Sequence, residues 1–312
     1  TGTGNDFQDF TVDKSGGATA QLLGPLDVDG TLTITAGTLD LNTQNLSTVT
    51  TCDNSATFKL AGDETISCTP TNNAGSTVEY TATTTTRNIK DWTYHHLTVN
   101  GSGGTFTSGA DETIGGNLTV SAGTLDTSTG SRTFTVNNTL TVNGGTLTAT
   151  NGTLNANRDV SLTSGTLTAP SGVFTVLGNW VQSGGTFTHS SGTVTFASTS
   201  VQTLNSGGST FNAISHNAGG TLRFSTNPLY ASSTVTNSDG TFDANDLAVL
   251  ADGLVTVSGG EYQSKTASST FSGGLTVSGG TFTGSTGGVE VNGNLALSSG
   301  TLTAPSGPFL VS

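Results

Sequence analysis

The chain contains no methionine, only two cysteines and only eight lysine and arginine residues among its 312. The lack of methionine predicts a processed or excerpted piece of a longer protein, because translation does not start at Thr1. With a formal net charge of −13, the few basic residues argue against nucleic acid, which is recognised by clustered Lys and Arg. No apolar run approaches the ~20 residues of a membrane span, so none is expected in this segment.

Charged residues are also scarce, at 9%, while apolar residues make up 32%. Low charge alone is compatible with disorder, but disordered chains usually combine a high net charge with few β-branched residues. Here Thr and Val are abundant and recur in register. The composition therefore predicts an ordered, all-β chain.

A short pattern of apolar residues recurs three times between residues 138 and 196. Apolar and polar residues alternate around most of its apolar positions, as in strands with one buried face, and Gly-containing pairs between them mark sharp turns. Three short strands and three corners in about 20 residues are typical of a three-sided β-solenoid, or parallel β-helix. We call the apolar positions that are expected to face inward core stations. They are predicted to stack in three columns: Leu140, Val160 and Trp180; Leu147, Leu167 and Phe187; and Leu154, Phe174 and Val194.

The repeat extends over most of the chain, which predicts one continuous solenoid over residues 1–312 with about 15 coils of about 20 residues. A longer repeat divides it into blocks at approximately 7–93, 94–210 and 211–312. The register is left open at 51–75 and at 197–212, and at the second of these we expect an extra partial coil or a protruding loop. The further predicted core stations are Leu118, Val255, Leu275 and Leu295.

Cys52 and Cys68 are 16 residues apart, close to the length of one coil, so they could face each other on neighbouring coils. A disulfide in a secreted protein is the favoured interpretation, and two free buried thiols are the alternative. A metal site is disfavoured because no histidine lies nearby.

The two ends of the array carry apolar residues, Phe7 and Phe10 at one end and Phe309 and Val311 at the other. Terminal coils of a solenoid are open sheet edges, which proteins normally protect with caps, prolines or charges. The last coil shows no polar cap. Either more coils follow, or the first coil of another copy docks there, and repeated docking of that kind makes a fibre.

Asp239, Asp243 and Asp246 form the richest carboxylate cluster, together with Asp252. Oxygen ligands at this spacing suit Ca²⁺, but the order of ligands is not that of an EF-hand, and a solvated loop is the alternative. Calcium is the only cofactor that the sequence suggests.

No pair of carboxylates or nucleophile with a base is placed by a motif, so the sequence predicts no enzyme. Thr-x-Thr pairs at 146–148, 166–168 and 186–188 are similar to the ladders of ice-binding solenoids. Charged or amide residues interrupt the same position elsewhere, at Asp40, Asp126, Asp243, Glu261 and Gln263, which favours ordinary outward threonines. Trp180 is expected in the core, whereas Trp92 and Tyr94 could stack on sugars.

The segments GNLTVSAGTLD (116–126), GNWVQSGGTFTHSSGTVTF (178–196) and STFNAISHNAGGTL (209–222) resemble repeats of very large bacterial cell-surface proteins. The resemblance implies a β-solenoid adhesin or fibre-forming protein. We therefore expect an extracellular structural protein that stacks head to tail with itself into a surface fibre, stalk or sheath, with glycans or other cell surfaces as further partners. The alternative is a surface-recognition module that binds glycan or ice through one face.

Overall fold

The computed structural model describes residues 6–312, so the predicted solenoid is tested from Asp6 onward and residues 1–5 lie outside the described part. The chain divides into two compact units, Thr1–Thr148 and Ala149–Ser312, and the division falls within the predicted block 94–210. Both units consist of short parallel strands that stack about 20 residues apart, in about 15 coils altogether. The predicted fold class, an all-β parallel β-solenoid, is confirmed.

Unit 1 contains one turn of 3-10 helix, Ser15–Gly17, and otherwise strands and turns among its described residues. Its strands are β1 (Asp6–Phe7), β2 (Phe10–Asp13), β3 (Thr19–Gln21), β4 (Leu26–Val28), β5 (Thr31–Ala36), β6 (Thr38–Asp40), β7 (Leu46–Ser47), β8 (Thr51–Asn54), β9 (Thr57–Leu60), β10 (Thr71–Asn72), β11 (Thr77–Tyr80), β12 (Thr86–Asn88), β13 (His96–Thr107), β14 (Glu112–Ile114), β15 (Leu118–Asp126), β16 (Thr133–Val136) and β17 (Leu140–Thr148).

The first coils of unit 1 have three sides, one in each of three parallel sheets. The first side stacks β1, β4 and β7, the second stacks β2, β5, β8 and β10, and the third begins with β3, β6 and β9. The third side continues through β11 and β13 to β15 and β17, with partners 19 to 22 residues apart in sequence. Because the spacing stays near one coil length, the inward residues form continuous columns.

The segment 51–75, whose register the sequence left open, is part of this regular stack. Cys52 in β8 pairs with Leu32, and Phe58 in β9 pairs with Leu39. The third side then carries Val78 and Leu97. The pattern is blurred in the sequence because two inward positions of the second side hold Cys52 and the buried Asn54 instead of large apolar residues.

Unit 2 contains only strands and turns. They are β18 (Thr153–Ala156), β19 (Val160–Thr168), β20 (Val173–Val176), β21 (Trp180–Gln182), β22 (Thr186–Thr188), β23 (Thr193–Phe196), β24 (Val201–Asn205), β25 (Thr210–Phe211), β26 (Ala213–His216), β27 (Thr221–Phe224), β28 (Leu229–Ala231), β29 (Val235–Asn237), β30 (Thr241–Asp243), β31 (Val249–Ala251), β32 (Val255–Val257), β33 (Glu261–Gln263), β34 (Ser269–Phe271), β35 (Leu275–Thr283), β36 (Val289–Val291), β37 (Leu295–Thr303) and β38 (Phe309–Val311).

The segment 197–212 supplies two sides of a regular coil, so the expected partial coil or protruding loop is wrong. Leu204 in β24 pairs with Trp180, and β25 pairs with β28 in the next coil. Ile214 therefore stacks on Val194 and continues the column that later carries Val255. Gln202, the second residue of β24, points inward, is buried and donates to the carbonyl oxygens of Val176 and Gly178.

Glycines form a column at one corner of unit 2, because neighbouring coils approach closely there. Gly240 and Gly260 have φ values of +61° and +59°. A Cβ at Gly240 would overlap the carbonyl oxygen of Gly220, and a Cβ at Gly260 would overlap that of Gly240. Only glycine satisfies both the left-handed backbone and the close stacking.

An aromatic column fills the later coils of unit 2. The Tyr262 ring is stacked between Phe242 and Phe282, with ring centroids 4.9 and 5.1 Å away and interplanar angles of 16° and 15°. All three residues are 0% exposed. The Tyr262 hydroxyl has no hydrogen-bond partner among the described residues, and burial raises its pKa far above the ordinary value.

We predict that Tyr262→Phe raises the free energy of unfolding of unit 2 by about 1 kcal/mol, because it removes a buried hydroxyl without a partner and keeps the stacked ring. Urea unfolding followed by Trp180 fluorescence in a Trp92→Phe background measures this unit. Tyr230→Phe is the matched control, since Tyr230 is 40% exposed, and it should change nothing measurable. A destabilised Tyr262→Phe variant would contradict the prediction.

Candidate functional site: the coil edges and the polar clusters

The predicted core stations are buried in both units except Leu295, which is 36% exposed. Leu118, Leu125 and Leu147 in unit 1 are 0% exposed, with Leu118 paired to Leu140 and Leu125 to Leu147. In unit 2, Val160 pairs with Trp180, and Leu154, Phe174 and Val194 lie in one column. Leu167 pairs with Phe187, and Val255 with Leu275. These stations are at most 6% exposed.

Trp180 lies in the core, as the sequence predicts. Its ring centroid lies 5.7 Å from that of Phe174, 4.9 Å from Phe187 and 5.3 Å from Phe211. The side chain is 0% exposed, and the indole Nε1 has no hydrogen-bond partner among the described residues. This tryptophan is therefore a packing residue.

The last coil differs from the coils before it in exposure. Leu295 pairs with Leu275 in the β35–β37 ladder, yet it is 36% exposed while Leu275 is 0% exposed. Leu297, Leu310 and Val311 are 51–58% exposed. β37 pairs with β35 and β38 pairs with β36, and no later described strand covers these two strands.

The first described coil has a similar but smaller apolar edge. Phe7 is 41% exposed and lies edge-on to Phe10, with ring centroids 5.3 Å apart. β1 pairs with β4 and β2 pairs with β5 on one side of each strand. The residues predicted for an end-to-end interface, Phe7, Phe10, Phe309 and Val311, thus belong to the outermost described strands of their units.

Cys52 and Cys68 are joined by a disulfide bond, with their Cα atoms 6.1 Å apart. Cys52 lies in β8, and Cys68 lies in the next coil, between the bridge at Ile66 and β10. The bond therefore ties two neighbouring coils of unit 1 together.

The proposed calcium ligands Asp239, Asp243 and Asp246 are not brought together. The side chain of Asp243 accepts a hydrogen bond from Arg223 Nε at 2.9 Å, and Asp246 accepts from Thr266. Asp239 accepts from the Gly240 backbone. Among the described residues, no three His, Cys, Asp or Glu side chains are grouped so that they could hold a metal ion. Asp243 and Asp246 bond across coils because residues 20 apart are neighbours in the ladder.

Asp243 is only 4% exposed although it belongs to an outward position. Arg223 lies one coil before it, with Nε at 2.9 Å, and Lys265 Nζ lies 3.9 Å from its other oxygen. These cations cover the carboxylate and offset its charge. The outward column of unit 2 therefore contains an ion-pair cluster instead of an uninterrupted threonine ladder.

Within each unit, the positions of the Thr-x-Thr pairs are paired with the corresponding positions of the neighbouring coil. Thr166 pairs with Thr186 and Thr168 with Thr188, whereas Asp126 pairs with Thr148. The threonine ladder is thus interrupted by charge in unit 1, as the sequence indicates.

His216 is a buried titratable residue that sequence reasoning missed. It is 0% exposed, its Nδ1 lies 2.8 Å from Asn237 Oδ1, and its Nε2 is buried without a hydrogen-bond partner among the described residues. Burial lowers the pKa of His216, although the Asn237 hydrogen bond and the charge of Asp239 act in the opposite direction. The folded chain therefore keeps this imidazole neutral.

We predict that unit 2 loses stability as the pH falls below about 6.5, because the unfolded histidine takes up a proton that the folded one resists. The loss is at most about 1.4 kcal/mol per pH unit. His216→Asn, which keeps an amide donor for Asn237, should remove the dependence, and His189→Asn should retain it. Urea unfolding of unit 2 between pH 5 and 8 measures this, and an unchanged slope in His216→Asn would contradict it.

No helix among residues 6–312 is long and apolar enough to cross a membrane. Comparison of the chain with protein-family models, curated proteins and solved structures finds no match.

Proposed function

We propose that this protein is an extracellular structural protein whose solenoid coils stack head to tail into a surface fibre, stalk or sheath. The observation that carries the proposal is the parallel ladder that joins successive coils, in which Val255 pairs with Leu275 and Leu275 with Leu295 in one register. Docking of another copy's first coil on β37 and β38 would continue these ladders. Its role is mechanical and adhesive, without catalysis.

Two further features support this proposal. In the later coils of unit 2 the ladders are parallel and the paired residues Val255, Leu275 and Leu295 are 20 residues apart, so one coil can extend another with the same register. Head-to-tail contacts that do not close into a ring generate a filament. The Cys52–Cys68 disulfide suits an oxidising, extracellular location.

Electron microscopy and analytical ultracentrifugation of the purified chain test this proposal. We expect linear assemblies whose length grows with protein concentration. Val311→Lys should suppress them, because a charge on an edge strand blocks edge-to-edge pairing. Val201→Lys is the matched control, since Val201 is 60% exposed but lies within unit 2 in a paired strand, whereas Val311 is 51% exposed in the last strand. Monodisperse particles at high concentration would contradict the proposal, as would equal assembly of Val311→Lys and the parent.

A further inference from the structure

A chain of buried hydrogen bonds fixes the segment that precedes β13. The Tyr80 hydroxyl accepts from the Lys90 backbone N–H at 2.8 Å, and the Tyr94 hydroxyl donates to the Lys90 carbonyl oxygen. The two hydroxyls are 2.9 Å apart, so Tyr80 donates to Tyr94. Burial raises the pKa of both hydroxyls, which therefore remain protonated. Lys90 Nζ also donates to the Glu64 carbonyl oxygen.

This fixed segment holds Trp92 in one orientation. The indole is nearly parallel to the buried Phe58 ring, with an interplanar angle of 6° and ring centroids 6.1 Å apart, and its centroid is 6.5 Å from that of Tyr94. Unlike Phe58 and Tyr94, Trp92 remains partly exposed. It lines a cleft of about 420 Å³ in unit 1, which makes it a preorganised aromatic platform.

The rest of the cleft is polar and acidic. Asp91, Asp111 and Glu112 line it together with threonines and Gly115, and no Lys or Arg is among the described residues that line it. Asp91 and Asp111 are exposed. An anionic ligand would be repelled here, whereas a ligand with hydroxyl or ammonium donors would find acceptors.

Glu112 is the least exposed of the three carboxyl groups, at 4%. Its Oε1 accepts from the Ser108 hydroxyl at 3.0 Å, while Oε2 has no donor among the described residues. Burial, with a smaller contribution from the nearby Asp91 and Asp111, raises the pKa of Glu112 to about 7. Glu112 can therefore offer an oxygen to a ligand in the cleft that it lines.

We propose that this cleft binds an amino sugar, with the pyranose ring against Trp92 and the ammonium and hydroxyl groups directed to Asp91, Asp111 and Glu112. The apolar face of a sugar ring matches an indole, and the carboxyl groups accept from its polar edge. Ammonium contacts with both the indole and the carboxylates favour an amino sugar over a neutral sugar. This site is independent of the coil edges and adds ligand recognition to a structural chain.

Tryptophan fluorescence titration of the full chain tests the proposal, because Trp180, the second of the two tryptophans, is 0% exposed. The probes are the tetrasaccharides of glucosamine, N-acetylglucosamine and galacturonate at pH 6. We expect saturable binding of the glucosamine tetramer, at least threefold weaker binding of the N-acetylated tetramer and none of the galacturonate tetramer. No binding of the glucosamine tetramer, or binding of the galacturonate tetramer of equal strength, would overturn the proposal.

Variants locate the site by calorimetry with the glucosamine tetramer. Trp92→Ala should weaken binding at least tenfold, and circular dichroism checks its fold because Trp92 packs on Phe58. Asp91→Asn, at an exposed side chain, should weaken binding at least threefold without affecting the fold. The control Asp252→Asn, at an exposed aspartate in unit 2, should bind like the parent. Unchanged binding in Asp91→Asn, or in folded Trp92→Ala, would refute the assignment.

Discussion

Leu147→Asp is expected to lower the free energy of unfolding of unit 1 by several kcal/mol, because it places a carboxylate in a dry apolar column. Leu147 is 0% exposed and pairs with Leu125, which pairs in turn with Phe106. The basic residue of this ladder is Arg87, which pairs with Phe106, lies three strands from Leu147 and is bound to Asp63. Chemical unfolding of unit 1 measures the effect, with Trp92 as the fluorescent probe and Trp180→Phe as the background.

Thr148→Ser is the matched control for this substitution. Thr148 follows Leu147 in β17 and is only partly buried, with its side chain on the opposite face of the strand. Loss of one outward methyl group should change the free energy of unfolding by less than about 0.5 kcal/mol. Similar effects of the two substitutions would mean that the faces of β17 are wrongly assigned.

Removal of the Cys52–Cys68 disulfide is expected to produce the second large loss of stability. The bond closes a loop with a sequence separation of 16 residues. A cross-link over a loop of this length stabilises a fold by about 3 kcal/mol, mainly by restricting the unfolded chain. The variant with both cysteines replaced by alanine should show this loss in the urea unfolding of unit 1.

Reductant provides the control for the disulfide prediction. Dithiothreitol should destabilise unit 1 of the parent by a similar amount and leave the double-alanine variant unchanged. Unit 2, followed through Trp180 in a Trp92→Phe background, should not respond to reductant. A parent chain equally stable with and without reductant would show that the bond contributes nothing.

Much of the fold can be predicted from the sequence, because a uniform period determines which residues stack. The columns through Leu118 and Leu140, and through Phe174 and Val194, follow directly from the spacing of apolar residues. The change of spacing near residue 200, where Leu204 pairs with Trp180, does not follow from that spacing. The coil there is completed by Leu204 and Phe211, whose spacing differs from that of the preceding coils.

The polar clusters could be predicted less well, because their partners are distant in sequence. The sequence groups Asp243 with its neighbour Asp246, but Asp243 pairs with Arg223, one coil earlier. The coil period itself was the signal that could have revealed this pair. The cleft residues Asp91 and Glu112 are likewise separated by about one coil.

The most direct test of the central claim is cross-linking of cysteines introduced into one outward column of unit 2. Thr236 pairs with Thr256, and Thr256 pairs with Thr276. Neighbouring strands lie about 4.8 Å apart, within the Cα range of a disulfide, whereas strands two coils apart lie beyond it. Mass spectrometry of the oxidised variants should therefore find a cross-link in Thr236→Cys/Thr256→Cys and none in Thr236→Cys/Thr276→Cys. A cross-link only in the second variant, or in neither, would contradict the stacking of residues one coil apart.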